Sequence, residues 1–216
     1  MKVAVVYHSE SGNTRRMAEL VVEGAEGFFC SGADLKMIGQ HVTSADQGAR
    51  FGAFVREVFT RLRRLPVVSV AAVEGGALGG GAELTTACDH RVVARDATVR
   101  FVQASLGVCT GWGGGARLTR LVGRQRALQI LGTACPVPAQ QALSWGLADQ
   151  LAPPGEAGRV ARELLAAYRQ HPATAVRSMK AIVARADDAP LDEALAVEAA
   201  CFAALWEGDT NKVRGS

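Results

Sequence analysis

An α/β fold is predicted for this chain by three observations. Residues 67–89, VVSVAAVEGGALGGGAELTTACD, read as a buried strand, a glycine-rich loop and a helix in succession. Short β-branched runs alternate with helical patterns up to about residue 152, and only helical patterns follow. The loop brings Gly75, Gly76, Gly79, Gly80 and Gly81 together, a composition that opens backbone N–H groups to a negatively charged oxygen. The alternative is a tight turn that packs the helix against the sheet.

The chain has 216 residues, 49% of them hydrophobic, enough to fill one substantial core. Its 24 basic and 21 acidic residues leave a net charge of +3, too nearly balanced for a field that recruits nucleic acid or membrane. Five cysteines without CxxC spacing read as buried thiols of a reduced, intracellular protein, and no metal site is expected. The apolar run VAVVY is too short for a signal peptide, so a cytoplasmic protein is the expectation.

In chain order, KVAVVY at residues 2–7 is a short strand, followed by the loop HSESGNT and a helical pattern opening at Thr14. That start resembles the phosphate loop of flavodoxin-like proteins, in which Ser9, Ser11, Asn13 and Thr14 would donate to the phosphate of FMN. The likeness covers about two dozen residues, and no later aromatic loops suit a flavin ring. From Leu20 a strand, LVVEG, is the better reading because Val21 and Val22 suit a sheet. The segment FCSGADL then leads into a helix.

Residues 44–65 carry Phe51, Phe54, Val55, Val58, Phe59 and Leu62 at helical spacing, and Pro66 ends that helix. Within it Arg61, Arg63 and Arg64 form a basic knot, read either as a solvated helix end or as a small-anion contact. After Asp89, HRVVARDATVRFVQ reads as two short strands around a turn at 95–97. A second glycine cluster, GWGGGA, opens a helix running to Val122. It fits a dinucleotide-binding string, but no strand enters it and no acidic ribose ligand follows, so that use is discounted. Helices are predicted at 124–131, 138–145, 156–169, 173–186 and 191–206, with a short edge segment, LADQLAP, between the second and third and a joint at 153–155. The predicted organisation is an atypical segment at 1–19, a core at 20–152 and a helical region at 153–216.

Four motifs in order, FCSGADL (29–35), EGGALGGGAELTTACDHRVV (74–93), LGVCTGWGGGARLTRLVG (106–123) and ALSWGLADQLAP (142–153), resemble the enoyl-CoA hydratase/isomerase, or crotonase, superfamily from about Leu20 to Trp206. The ethylmalonyl-CoA decarboxylase-like branch is the nearest match. The resemblance implies a crotonase-like spiral of strand and helix turns, N-terminally shortened, with C-terminal helices that pack homo-oligomers, trimers or hexamers. It implies an acyl-CoA thioester as substrate and no separate cofactor.

It also implies an oxyanion hole made by the backbone N–H groups of Ala33 and Gly80. Losing one such donor typically costs roughly 10²–10³ in turnover. Glu83 matches a family catalytic carboxylate. In an apolar pocket its pKa would rise toward neutrality, whereas an acid serving a helix N-terminus would have its pKa held down. Ser31, Gly32, Asp34, Leu35 and Gly79 are the implied substrate contacts beside them. Ser105 stands where hydratases carry a second glutamate, four residues after Phe101, which handicaps hydration and leaves decarboxylation or a one-base double-bond shift open. Ser105 and Trp112 are expected to line the acyl pocket, with plain core as the alternative for Trp112. The short start leaves two readings, a fused segment or a substitute for the layer that holds CoA in relatives. A catalytically silent thioester-binding subunit is a further alternative.

Overall fold

A computed structural model describes residues 3–6 and 19–213, with side chains for 19–206. The flavodoxin-like Ser9, Ser11, Asn13 and Thr14 lie outside the described residues. Among the described residues five strands form one sheet in the order β1 (Val3–Val6), β2 (Glu19–Gly24), β3 (Val68–Val73), β5 (His90–Ala94) and β8 (Gln150–Ala152). β1 runs antiparallel to β2, pairing Val5 with Val22. The other neighbours are parallel, with Val22 opposite Ala71 and Ala72 opposite Val92.

A parallel sheet covered on both faces takes a nearly continuous apolar strand, and all six residues of β3 are buried, its one polar side chain, Ser69, bonded to Asp89. Successive side chains serve opposite faces. Val70 and Ala72 pack with Ala157, Ala161 and Leu165 of α7 (Ala157–Arg169), while Ala71 and Val73 join Phe29, Leu84, Phe101 and Leu118 on the other side. Glu74 ties the two layers. Its carboxylate accepts the Ala157 N–H at 2.6 Å and the Gly155 N–H at 3.0 Å, and its carbonyl accepts the Phe29 N–H at 2.9 Å.

The turn at 95–97 does not make a hairpin. It carries the chain from β5 into a second, three-stranded sheet of β4 (Gly76–Leu78), β6 (Thr98–Arg100) and β7 (Val137–Pro138). The segment expected to be all glycine loop therefore contains a strand, β4, parallel to β6.

The first helices are α1 (Leu35–His41) and α2 (Ala45–Arg64), capped by Asp34 and by Ser44. On α2 only part of the expected apolar face is covered. Phe59 is buried, but Phe54 is 68% and Val58 45% exposed. After α3 (Gly80–Thr85), α4 (Gly114–Val122), α5 (Arg124–Thr133) and α6 (Ala139–Ser144), the chain ends in α7, α8 (Ala173–Asp188) and α9 (Leu191–Val213).

α8 is clamped to the core by charge. Lys180 Nζ donates to Asp89 Oδ2 at 2.7 Å, and Arg63 Nη1 to Asp188 Oδ1 at 2.7 Å. Arg63 also pairs with Asp187, so the basic knot meets carboxylates of this chain. Among the described residues no helix is long and apolar enough to cross a membrane. The cysteines depart from the expectation: Cys30 and Cys88 are buried, but Cys109 is exposed and Cys135 and Cys201 are half-buried.

Candidate active site

The first two motifs are stitched backbone to backbone. Cys30 forms a parallel bridge with Ala77; the Cys30 N–H donates to Gly76 O at 3.2 Å, and the Leu78 N–H to Cys30 O at 2.9 Å. The seam brings Gly32 against Gly80. A Cβ on Gly32 would stand 2.9 Å from the Gly80 nitrogen, and its φ of +92° suits glycine alone. The N–H groups of Ala33 and Gly80 are thus on adjoining turns, and neither donates to a protein acceptor among the described residues. Ala33 is half-buried, Gly79 is buried, and the Gly79 N–H is spent on Arg100 O at 2.9 Å.

The rest of the FCSGADL loop is turned to other work. Ser31 is exposed, the Asp34 carboxylate accepts the Lys36 and Met37 N–H groups at 3.0 and 3.1 Å as the cap of α1, and Leu35 is exposed.

Glu83 is buried in the first turn of α3, and its carboxylate is not directed to its own helix N-terminus. Oε2 accepts the Trp112 N–H at 3.0 Å and the Gly114 N–H at 2.8 Å, where α4 begins, and Oε1 accepts Gln103 Nε2 at 3.0 Å. Burial pushes the Glu83 pKa above the ordinary carboxylate value. The Gly114 and Trp112 N–H groups, the Arg117 charge and the Gln103 amide pull it back only in part. Desolvation outweighs these donors, and the N–H groups that oppose it come from the start of α4, not from the helix that carries Glu83.

Trp112 is held over Gly80. A Cβ on Gly80 would lie 1.8 Å from its ring, so only glycine fits there. The indole meets Phe51 and Phe59 of α2 edge to face, at centroid distances of 6.0 and 5.8 Å. Arg117 fixes this corner from behind through the Trp112 carbonyl at 3.0 Å and the Thr86 hydroxyl at 3.0 Å. Trp112 is half-buried, serving as packing for α2 while flanking Gly80.

Ser105 lies on the 3₁₀ turn Gln103–Leu106, is exposed, and donates to Val102 O at 2.7 Å within that turn. The side chain that meets Glu83 from this turn is Gln103, which the sequence reading missed. Its place on the same turn as Ser105 was the signal available.

A cavity of about 830 Å³ opens at the far end of α3, lined by Thr86, Cys88, His90, Val176 and Met179 among others. Neither Gly80 nor Glu83 borders it. On its wall Lys180 pairs with Asp89 at 2.7 Å and Arg63 with Asp187, so the cavity lies along a charge-paired seam between core and α8. Burial pushes the Cys88 thiol on its wall up to about 12. Among the described residues no group of three or more His, Cys, Asp or Glu side chains is placed to hold a metal ion.

The model of the enoyl-CoA hydratase/isomerase family matches residues 10–215. The chain belongs to that family. The match begins ten residues before the strand from which the motifs were legible. An ethylmalonyl-CoA decarboxylase of Gallus gallus is 40% identical over 195 residues, covering 89% of this chain and 65% of that protein. This member of the enoyl-CoA hydratase/isomerase family thus spans less than two thirds of that relative's length. An enoyl-CoA hydratase from Bacillus anthracis superimposes with a TM-score of 0.83 at 29% identity, over 93% of this chain and 76% of that one. A Thermobifida fusca neighbour in complex with acetoacetyl-CoA has a TM-score of 0.79 at 29% identity, over 88% of this chain and 78% of that one. The crotonase fold and the likeness to the decarboxylase branch, both expected from the motifs, are borne out.

Proposed function

We propose that this protein is an acyl-CoA-processing enzyme that decarboxylates a malonyl-type thioester of the ethylmalonyl or methylmalonyl kind. The observation that carries the reading is the Gly32–Gly80 seam, which leaves two backbone N–H groups on adjoining turns without acceptors among the described residues. The thioester oxygen accepts from Ala33 and Gly80. The bond from Cα to the carboxylate breaks, CO₂ leaves, and the electron pair stays behind as an enolate whose oxygen the two donors stabilise. Glu83, its proton held more tightly than an ordinary carboxyl's, delivers that proton to Cα, so one proton is consumed for each CO₂ released. Trp112 walls the space beside Gly80 and limits the substituent on Cα, and Ser31, Asp34, Leu35 and Ser105 form the outer rim toward solvent.

The relatives named ethylmalonyl-CoA decarboxylase support this reaction over hydration, as does the absence of a carboxylate at Ser105. CoA enters as part of the substrate, and no separate cofactor takes part. The working form is a cytoplasmic homo-oligomer, a trimer or hexamer, acting in fatty-acid metabolism. Exposed Leu191, Leu195, Phe202 and Trp206 on α9 support assembly, the last two stacked with centroids 5.5 Å apart.

The test is incubation with ethylmalonyl-CoA and, separately, crotonyl-CoA, followed by mass spectrometry. Loss of CO₂ from the first is expected. Hydration of the second at an ordinary enzymatic rate, with the first untouched, overturns the reading. Light scattering of the purified protein checks the oligomer.

A further inference from the structure

Glu83 has one oxygen fully occupied and one not. Oε2 takes two backbone N–H groups that hold α3 to the start of α4, so a proton can be gained or lost without breaking that junction only at Oε1. Among the described residues the one hydrogen bond to Oε1 comes from Gln103 Nε2 at 3.0 Å. The far side of the same amide is unusual. Gln103 Oε1 is buried and finds no hydrogen-bond partner among the described residues. A buried acceptor left without a partner calls for a reason.

We propose that Gln103 is the positioning residue that presents Glu83 for proton transfer, its amide turning between N–H donor to the carboxylate and C=O acceptor from the carboxylic acid. A half-turn of an amide exchanges oxygen and nitrogen with almost no change of shape. Because nothing among the described residues engages the far side, no other hydrogen bond from them holds the amide in one orientation. An ionised Glu83 takes the NH₂, and a protonated Glu83 gives its O–H to the carbonyl. Either state is hydrogen-bonded, so Glu83 cycles between them without leaving its place.

The assignment rests on the proton-donor role proposed for Glu83. The group carrying charge toward Glu83 is Arg117 from α4, and the other neighbours, Trp112 and Gly114, meet it through neutral N–H groups.

The test begins without substrate. Difference infrared spectroscopy of the carboxyl stretch, with Glu83→Gln as the blank, follows the Glu83 titration in the parent and in Gln103→Met, which keeps size and loses both hydrogen bonds. Removing the donor to the carboxylate is expected to raise the Glu83 midpoint, with proton binding about tenfold tighter, one pKa unit. With ethylmalonyl-CoA the same variant is expected to lose about tenfold or more in kcat at nearly unchanged KM. Gln103→Glu is expected to recover part of this only at low pH, where its own carboxyl carries a proton to donate. A Glu83 midpoint that stays put in both variants overturns the proposal. A midpoint that moves in a protein with no thioester turnover upholds Gln103 and removes the decarboxylase reading instead.

Discussion

The N–H of Gly114 donates to the Glu83 carboxylate at 2.8 Å, joining the first residue of α4 to the first turn of α3. Through this bond the second glycine cluster is drawn onto the first. Trp112, two residues earlier, donates to the same oxygen at 3.0 Å while its ring covers Gly80. One buried carboxylate thus sets where the wall beside a proposed oxyanion donor stands.

Glu83→Gln is expected to leave the fold intact, because a glutamine oxygen still accepts from Trp112 and Gly114 and its NH₂ still meets a Gln103 amide that presents its carbonyl. Turnover of ethylmalonyl-CoA should fall by roughly 10²–10⁴, the usual contribution of a positioned acid. Steady-state kinetics beside a thermal melt measure both. Retained turnover would remove Glu83 from the chemistry.

Gly32→Ala is expected to strain a backbone at φ +92° and press a methyl group toward the Gly80 nitrogen. The proposed hole then loses its geometry, with a fall of about 10²–10³ in kcat, comparable to losing one donor. Gly80→Ala displaces the Trp112 ring instead, so its tryptophan emission should shift while Gly32→Ala leaves emission nearly unchanged.

Stability should depend on pH in two opposed ways. Burial raises the folded-state Glu83 pKa, so the folded chain binds that proton more tightly than the unfolded one. Its contribution is complete below the unfolded value and is lost as pH rises through the raised one. Asp149 and Asp188 run the other way. Against burial, His90 and Arg91 hold Asp149 low, and Arg63 and Arg120 hold Asp188 low. Their contributions are present above the unfolded value and are lost as pH falls through the lowered ones. The melting temperature of Glu83→Gln relative to the parent should therefore climb as pH rises from about 4, the unfolded carboxyl value. A constant difference across pH would contradict the assignment.

Asp188→Ala removes one partner of both Arg63 and Arg120, at 2.7 and 3.1 Å, and leaves them Asp187. These pairs are partly exposed, so the cost is expected to be about 1 kcal/mol, or about 2–4 °C in Tm for a chain of this size. Limited proteolysis should find α8 cut sooner. Ethylmalonyl-CoA turnover should be unchanged, since the cluster borders the far cavity and not Gly80. A loss of turnover would return the basic knot to the list of ligand contacts.

Where a signal was local, the sequence could be read closely. Ser44 and Pro66 bracket α2 because a cap and a missing N–H act within a turn of the residue that carries them. The strands β4 and β7 were not legible, because β4 lies inside a glycine run and β7 is two residues ending in proline. The turn at 95–97 was visible, but not that it separates two sheets. Phe54 and Val58 show the same limit on α2: their spacing reports a helix, and their exposure depends on what else packs there.

What the sequence by itself determined was most of the helices and the longer strands, the order of the four motifs and the glycines on which close backbone approach depends. These follow from short-range sterics and from hydrophobic period, which each stretch carries within itself. Only the tertiary structure decided that Gly32 lies against Gly80, that Glu83 serves α4 rather than α3, and that Gln103 rather than Ser105 meets it. Those facts rest on hydrogen bonds and desolvation between residues 20 to 48 positions apart. Such terms come into being only when the chain has closed around them.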